Sequence, residues 1–335
     1  MNILITGATG FLGGYLIREL AAQYENIYVV SRKEQLSKFT EFPNVKCIKG
    51  DITSLDVISL EGSEKIKLLD SIDVVLHAAA LYDLSASYSD CFLQNVVGTQ
   101  NMLHLLKGMK NLKAFYYVST IAVGDPEVYF LDENQLPKRN NFGDSYSETK
   151  YLAEQVVRDN VNERFVTRII RPGIIIGDSV TLEMEKIDGP YYFLEAFKKY
   201  SHLLKYTPIV PLSFNPRSKL PIIPVDHCAH FIKLLIERDN HKVNLKTYHL
   251  VSSEIPTLME FLRDLNKKFG VKTHYFPVKE NRIHNSLLKL LGIPEEVLPF
   301  MFSRISYDKT STLEDLPEIN ESTYSTFKSI LFGKS

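Results

Sequence analysis

The chain has 335 residues, enough for one large or two modest domains with ample core. Hydrophobic residues at 44% and charged residues at 24% are those of a soluble globular protein, and a net charge of −1 leaves no global field to draw nucleic acid or anionic lipid. Cys47, Cys91 and Cys228 form no C-x-x-C pair, which argues against a disulfide framework or structural zinc and fits a reducing compartment.

In chain order, "MNILITG" opens directly on a strand (2–6), with no charged leader or cleavage site. Further short apolar runs at 26–30, 45–49, 73–77, 114–119 and 165–170 read as buried strands. Between them, 10–23 and 92–109 carry apolar residues at helical spacing, and "DSYSETKYLAE" (144–154) reads as a helix start. After residue 177 the pattern changes. The proline-rich stretch 206–226 predicts an irregular connection, 227–238 a helix and 246–253 a strand. Residues 257–270 predict an amphipathic helix ended by Gly270. No apolar run approaches the roughly 18 residues that span a bilayer. The alternation predicts an α/β fold: a Rossmann-type, doubly wound parallel sheet with a smaller, mostly C-terminal cap. Residues 1–177, completed by about 221–253, would bind a dinucleotide; 178–220 and 254–335 would form the substrate cap.

Gly7, Gly10 and Gly13 lie between the first strand and the first helix. The first permits a tight turn, the second a close approach of backbone to a pyrophosphate, the third close packing of helix and strand. The second strand ends in "VVSRKE", with no acid to take a ribose 2′-OH. Arg32 and Lys33 point to the 2′-phosphate of NADP, so NADPH is expected over NAD, unless the two are only a solvated loop. Tyr146 and Lys150 fall one helical turn apart, where an ammonium favours the phenolate and makes the tyrosine a usable acid at cellular pH. An ordinary helix start explains the same spacing.

The motifs "TGATGFLG", "GD" (50–51), "HAAA" (77–80), "NVVGT" (95–99), "VST" (118–120), "YSETK" (146–150) and "RPG" (171–173) resemble, in order, the extended short-chain dehydrogenases/reductases. The stretches 77–86, 116–125, 171–193, 221–235 and 292–300 resemble the reductase domain of bacterial fatty acyl-CoA reductases, related to thioester reductase domains. The resemblance implies Tyr146 as proton donor, Lys150 as its partner and ribose ligand, and Thr120 as the hydroxyl on the reacting oxygen, with Ser119 the competing assignment. It implies a cofactor set of Gly7, Thr9, Gly10, Phe11, Leu12, Gly13, Arg32, Lys33, Asp51, Ile52, Ala78, Ala79, Ala80, Asn95, Ser119, Tyr146, Lys150, Pro172 and Gly173. Asp51 would meet the adenine and Pro172–Gly173 the nicotinamide amide. The implied reaction is NADPH-dependent reduction of a fatty acyl thioester, on coenzyme A or an acyl carrier protein. Two-domain bacterial relatives carry a second reductase domain, which leaves aldehyde or alcohol open as product.

His77 reads as a packed core histidine. Leu182, Met184, Tyr191, Tyr192, Phe193, Leu194 and Phe197 would line an acyl tunnel or form the cap's own core. Lys198, Lys199 and Lys205 would meet phosphates of coenzyme A or an acidic carrier, or form a solvated helix face. No histidine spacing suggests a metal. The rival readings are a sugar-nucleotide epimerase or dehydratase, a small carbonyl reductase, and a non-catalytic NADP-binding protein. The expected partners are small molecules rather than nucleic acid. The expected location is the cytoplasm, with peripheral membrane contact and a homodimer both left open.

Overall fold

Strands and helices alternate from the first residues of the computed structural model, which describes residues 1–33, 36–83, 86–125, 128–139, 142–184, 189–279, 282–294 and 297–332. β1 (Asn2–Thr6) leads into α1 (Phe11–Leu20), β2 (Asn26–Ser31), β3 (Val45–Lys49), α2 (Gly62–Ser71) and β4 (Val74–His77). Then come α3 (Tyr88–Cys91), a π-helical segment (Phe92–Val97), α4 (Gly98–Leu106) and β5 (Ala114–Val118). The short β6 (Phe130–Leu131) precedes α5 (Ser145–Asp159) and β7 (Val166–Pro172). The helix α2 is one that apolar spacing does not announce, because Leu69 is the residue it buries.

The remaining elements are β8 (Ile174–Ile176), α6 (Pro190–Leu204), β9 (Ile209–Ser213), β10 (Ile222–Pro224), α7 (Val225–Arg238) and β11 (Leu245–Leu250). They continue with α8 (Leu258–Phe269), β12 (His274–Val278), α9 (Arg282–Leu290), α10 (Leu298–Phe302), β13 (Ser306–Tyr307), α11 (Thr310–Asp315) and α12 (Tyr324–Phe332).

The central sheet has seven parallel strands in the order β11-β7-β5-β4-β1-β2-β3. Both faces are covered, so β4 and β5 are buried at every position and read as continuous apolar runs. Successive side chains still alternate between faces. Ile3, Ile5, Leu76 and Tyr116 pack with α1 and α7 on one side, whereas Leu4, Val75, Phe115 and Tyr117 pack with α4 and α5 on the other. The chain winds outward from β1 to β3, then returns to place β4 against β1. Sheets of this kind bind ligands beyond the carboxyl ends of two such strands, where the strand order reverses.

A third apolar cluster lies apart from the sheet. Phe193, Leu194 and Phe197 of α6 meet Leu258, Phe261 and Leu265 of α8 and Phe327, Ile330 and Leu331 of α12. α8 begins and ends where its sequence says: Thr257 and Glu260 form a reciprocal capping box, and Gly270 takes the left-handed conformation at φ 61°. Leu316 and Ile319, although C-terminal, join the core beside α1 rather than this cluster.

The stretch 206–226 is not irregular throughout, which corrects the expectation. β9 pairs in parallel with β12, and β10 with β8. Each partner is distant in sequence, and the prolines are tolerated because these are edges of two-stranded pairs. Among the described residues no helix is long and apolar enough to cross a membrane.

Candidate active site

The glycine turn is shaped by backbone contact. Gly7 has φ +77°, and a Cβ there would lie 2.5 Å from the Ala79 nitrogen. A Cβ on Gly13 would lie 2.0 Å from the Gly7 carbonyl oxygen, so helix and strand touch at that point. Gly10 differs. Its Cβ would meet only the Gly7 carbonyl oxygen, at 3.3 Å, and it stands extended as the N-cap of α1. No acid occupies the helix's first turn. Thr9, Gly10 and Ala80 are exposed, and Phe11, Leu12, Ala78 and Ala79 are half-buried, in the segments that follow β1 and β4. Open backbone at a helix N-terminus fits a dinucleotide pyrophosphate.

Arg32 and Lys33 stand exposed beyond β2. Lys38 joins them: its ammonium donates to the Thr9 carbonyl at 2.8 Å. Sequence reading passed over Lys38, and its only signal was a third basic residue close behind the other two. Asp51 follows β3, its carboxylate accepting from the Thr53 amide and hydroxyl at 2.9 and 2.8 Å. Ile52 is buried against Gly98, where a Cβ would come within 2.8 Å of its side chain.

Asp144 caps α5 by accepting from the Ser147 amide at 2.7 Å. The helix therefore starts just before Tyr146 and carries Lys150 one turn later. Tyr146 is half-buried, its ring edge-on to Tyr82 with centroids 4.7 Å apart. Lys150 is 2% exposed. Its ammonium donates to the Val118 carbonyl at 2.7 Å and the Tyr117 hydroxyl at 3.0 Å, and lies 4.5 Å from that ring's centre. Burial pushes the ammonium down to about 7, with the Glu154 carboxylate opposing the shift.

Two neighbouring hydroxyls are sorted by their surroundings. Ser119 donates to Glu154 Oε2 at 2.6 Å, inside the core. Thr120 stands two residues beyond β5 in extended backbone and caps the 3-10 turn that follows, its hydroxyl accepting from the Ala122 amide at 3.2 Å. Glu154 is held by Arg171, at 2.6 and 3.0 Å, and by Arg158 at 2.9 Å. Arg171 also donates to His249 at 3.0 Å. The roles of Glu154 and Arg171 were missed. Their signal was a glutamate one turn beyond Lys150 and the arginine of "RPG".

Asn95 lies in the π-helical segment and is 1% exposed. Its oxygen accepts from the Leu81 amide at 2.7 Å, and its nitrogen donates to Thr149 at 3.0 Å, tying the segment after β4 to α5. Pro172 and Gly173 are buried at the end of β7, and a Cβ on Gly173 would lie 2.3 Å from the Pro221 oxygen. His77 is a core residue as expected. Its nitrogens lie 2.6 and 3.2 Å from the hydroxyls of Thr6 and Thr99, and burial holds it neutral, down to about 3.

On the substrate side, Tyr191, Phe193, Leu194 and Phe197 are spent in the third cluster, while Leu182 and Tyr192 are partly buried against it and Met184 is 38% exposed. Residues 185–188 of that motif lie outside the described residues. A small enclosed cavity of about 20 Å³ is lined by Ile121 and Gly124, by Gly143 and Asp144, and by Phe300 and Ile305. It thus adjoins in sequence both Thr120 and Tyr146. A more open cavity of about 410 Å³ lies between α6 and residues 291–292, with Tyr192, Glu195, Lys198 and Lys199 on its wall. Lys198 pairs with Glu195 at 2.5 Å, and Lys205 closes α6.

The profile of the male sterility protein family, an NAD-binding family, matches residues 5–232. The nonribosomal peptide synthetase asaC of Aspergillus flavus is 26% identical over 95% of this chain, which spans 34% of that protein. The Drosophila melanogaster protein CG8306, named for fatty acyl-CoA reductase activity, is 25% identical over 83% of the chain, which spans 63% of it. This chain therefore spans less than two thirds of either relative. The terminal R domain from the myxalamid PKS-NRPS pathway shares the fold, with a TM-score of 0.76 at 24% identity over 98% of this chain and 90% of that one. The chain belongs to the male sterility protein family.

Proposed function

We propose that the protein uses NADPH to reduce a fatty acyl thioester to the aldehyde, and onward to the alcohol where a second reduction follows. The observation that carries this reading is the meeting of β5 and α5, which brings Thr120 and the buried Lys150 to the same strand end. In this reading the Gly7–Gly13 turn, Asp51, Ala78 to Ala80, Lys150 and Pro172–Gly173 hold the dinucleotide, and Arg32, Lys33 and Lys38 hold its 2′-phosphate. The bound nicotinamide supplies the hydride. Thr120 and Tyr146 donate hydrogen bonds to the carbonyl oxygen as charge develops there, and Tyr146 gives up its proton; the hemithioacetal so formed then breaks its C–S bond, releasing the thiol and leaving the aldehyde. Lys150 replaces part of the lost proton's charge and holds the ribose. Ser119 is assigned to the core. Residues 1–177 with 221–253 take the nucleotide, and 178–220 with 254–335 take the substrate.

The acyl-thioester assignment is supported by the likeness to CG8306 and to the synthetase, and by the apolar Ile121, Phe300 and Ile305 on the wall of the small cavity. The thiol carrier is coenzyme A or a carrier protein. NADPH oxidation against acyl thioesters of four to eighteen carbons, with product identification, tests the reading. Turnover should rise with chain length to a plateau, at about 0.8 kcal/mol per buried methylene. No consumption with any thioester, beside clear turnover of a sugar nucleotide or small ketone, would overturn it. Calorimetry tests the cofactor. NADPH should bind about ten- to a hundredfold more tightly than NADH, and Arg32→Asp should reverse the order.

A further inference from the structure

β5 is buried along its whole length, and residue 117 lies in the core between the sheet and α4 and α5. A phenylalanine would fill that place as well. A hydroxyl in a dry core is costly unless it is partnered, and the Tyr117 hydroxyl has two partners. It accepts from the Lys150 ammonium at 3.0 Å, and the Thr99 hydroxyl beside it favours its charged form. Thr99 in turn lies 3.2 Å from His77 Nε2, His77 Nδ1 lies 2.6 Å from the Thr6 hydroxyl, and Thr6 accepts from the Ala79 amide at 3.3 Å. Thr6 and Ala79 flank Gly7. A continuous buried path therefore joins Lys150 to the glycine turn.

We propose that Tyr117 is the positioning residue of Lys150, fixing its ammonium by hydroxyl and ring face and tying it through Thr99, His77 and Thr6 to the nucleotide turn. The Val118 carbonyl and the Tyr117 hydroxyl take two of the ammonium's three N–H groups, leaving one for the phenol of Tyr146 or a ribose. The charged groups around Lys150 are few. Glu154 on its own helix favours the ammonium, and Arg171 on β7 is turned to Glu154. His77 on β4 is neutral, and the Tyr117 phenol stays protonated because burial and then Glu154 push its pKa well up. Tyr117 thus remains a neutral acceptor throughout the working range.

The proposal rests on the reading of Lys150 as partner of Tyr146, but its first test does not. The Lys150 side-chain signal in a lysine-labelled protein, assigned by its loss in Lys150→Met, is followed by NMR against pH. Tyr117→Phe keeps the ring and removes the acceptor. The midpoint should fall by about one to two pH units, the scale of a hydrogen bond to a charged group. An unmoved midpoint in a folded Tyr117→Phe protein overturns the proposal. If that variant does not fold, Thr99→Val carries the test: a smaller fall supports it and no shift overturns it. With a turned-over substrate, the basic limb of kcat/KM against pH should move down with the midpoint. A rate loss that is equal at every pH would mean packing alone and would also overturn it. If the unmodified protein turns over no thioester, the proposed activity fails while the titration result stands.

Discussion

Ser119 and Thr120 are adjacent in sequence and differ in what their hydroxyls touch. Ser119→Ala removes a donor from a buried carboxylate and should lower stability by about 1–3 kcal/mol, read by thermal unfolding. Thr120→Ala should leave Tm nearly unchanged and reduce turnover. Burial resists ionisation of Glu154, but Arg171, then Arg158 and Ser119, overcome it and hold the carboxyl at about 2. A carboxyl held below its unfolded value of about 4.5 stabilises the fold above that pH and loses its contribution as pH falls toward 2. Glu154→Gln should therefore cost about 3–5 kcal/mol at neutral pH and flatten the acid-unfolding profile. Lys150 has the opposite sign. Its ammonium is disfavoured in the fold, so the penalty is full below about 7 and fades as pH rises to about 10.5. Lys150→Met should raise Tm most at low pH while abolishing turnover. The Tyr146–Lys150 pair could be read because four residues make one helical turn. The clamp of Arg171 on Glu154 could not, since its two ends lie on different elements.

At the scale of elements, the three glycines of the first turn divide by what surrounds them. Gly13→Ala drives a methyl into the Gly7 carbonyl, and Gly7→Ala adds an unfavourable φ to a backbone clash. Both should lower Tm along with cofactor affinity. Gly10→Ala meets one contact at 3.3 Å and has an ordinary φ of −78°. It should fold normally and bind NADPH more weakly, a separation that calorimetry and thermal unfolding together would detect. Equal losses of stability in all three would contradict this division. The strand–turn–helix context was legible because glycine spacing and apolar runs are local. β9 and β10 were hidden because a short strand among prolines shows itself only through a partner, and theirs lie at 274–278 and 174–176.

For the molecule as a whole, alternation of strand and helix was enough to foresee a parallel sheet. The strand order was not, because it records which distant runs pair, and pairing leaves no mark in any single segment. The seven apolar residues at 182–197 left tunnel and core both open, and four of them, Tyr191, Phe193, Leu194 and Phe197, are used in the third cluster's own core.

The packing of α7 on α1 has a consequence for biosynthesis. α1 is complete by residue 20, whereas α7 ends at residue 238, and the two share one core with Leu316 and Ile319. At about 5–20 residues per second, the nascent α1 waits roughly 10–40 s for its covering helix. During that interval Leu16, Ile17 and Leu20 lack the Phe231, Ile232 and Leu235 that complete their core. A chain released at residue 177 would keep this defect and should aggregate rather than fold. In the full chain, pulse-labelled hydrogen exchange should show the amides of α1 gaining protection only together with those of α7. Added chaperone should raise the soluble yield.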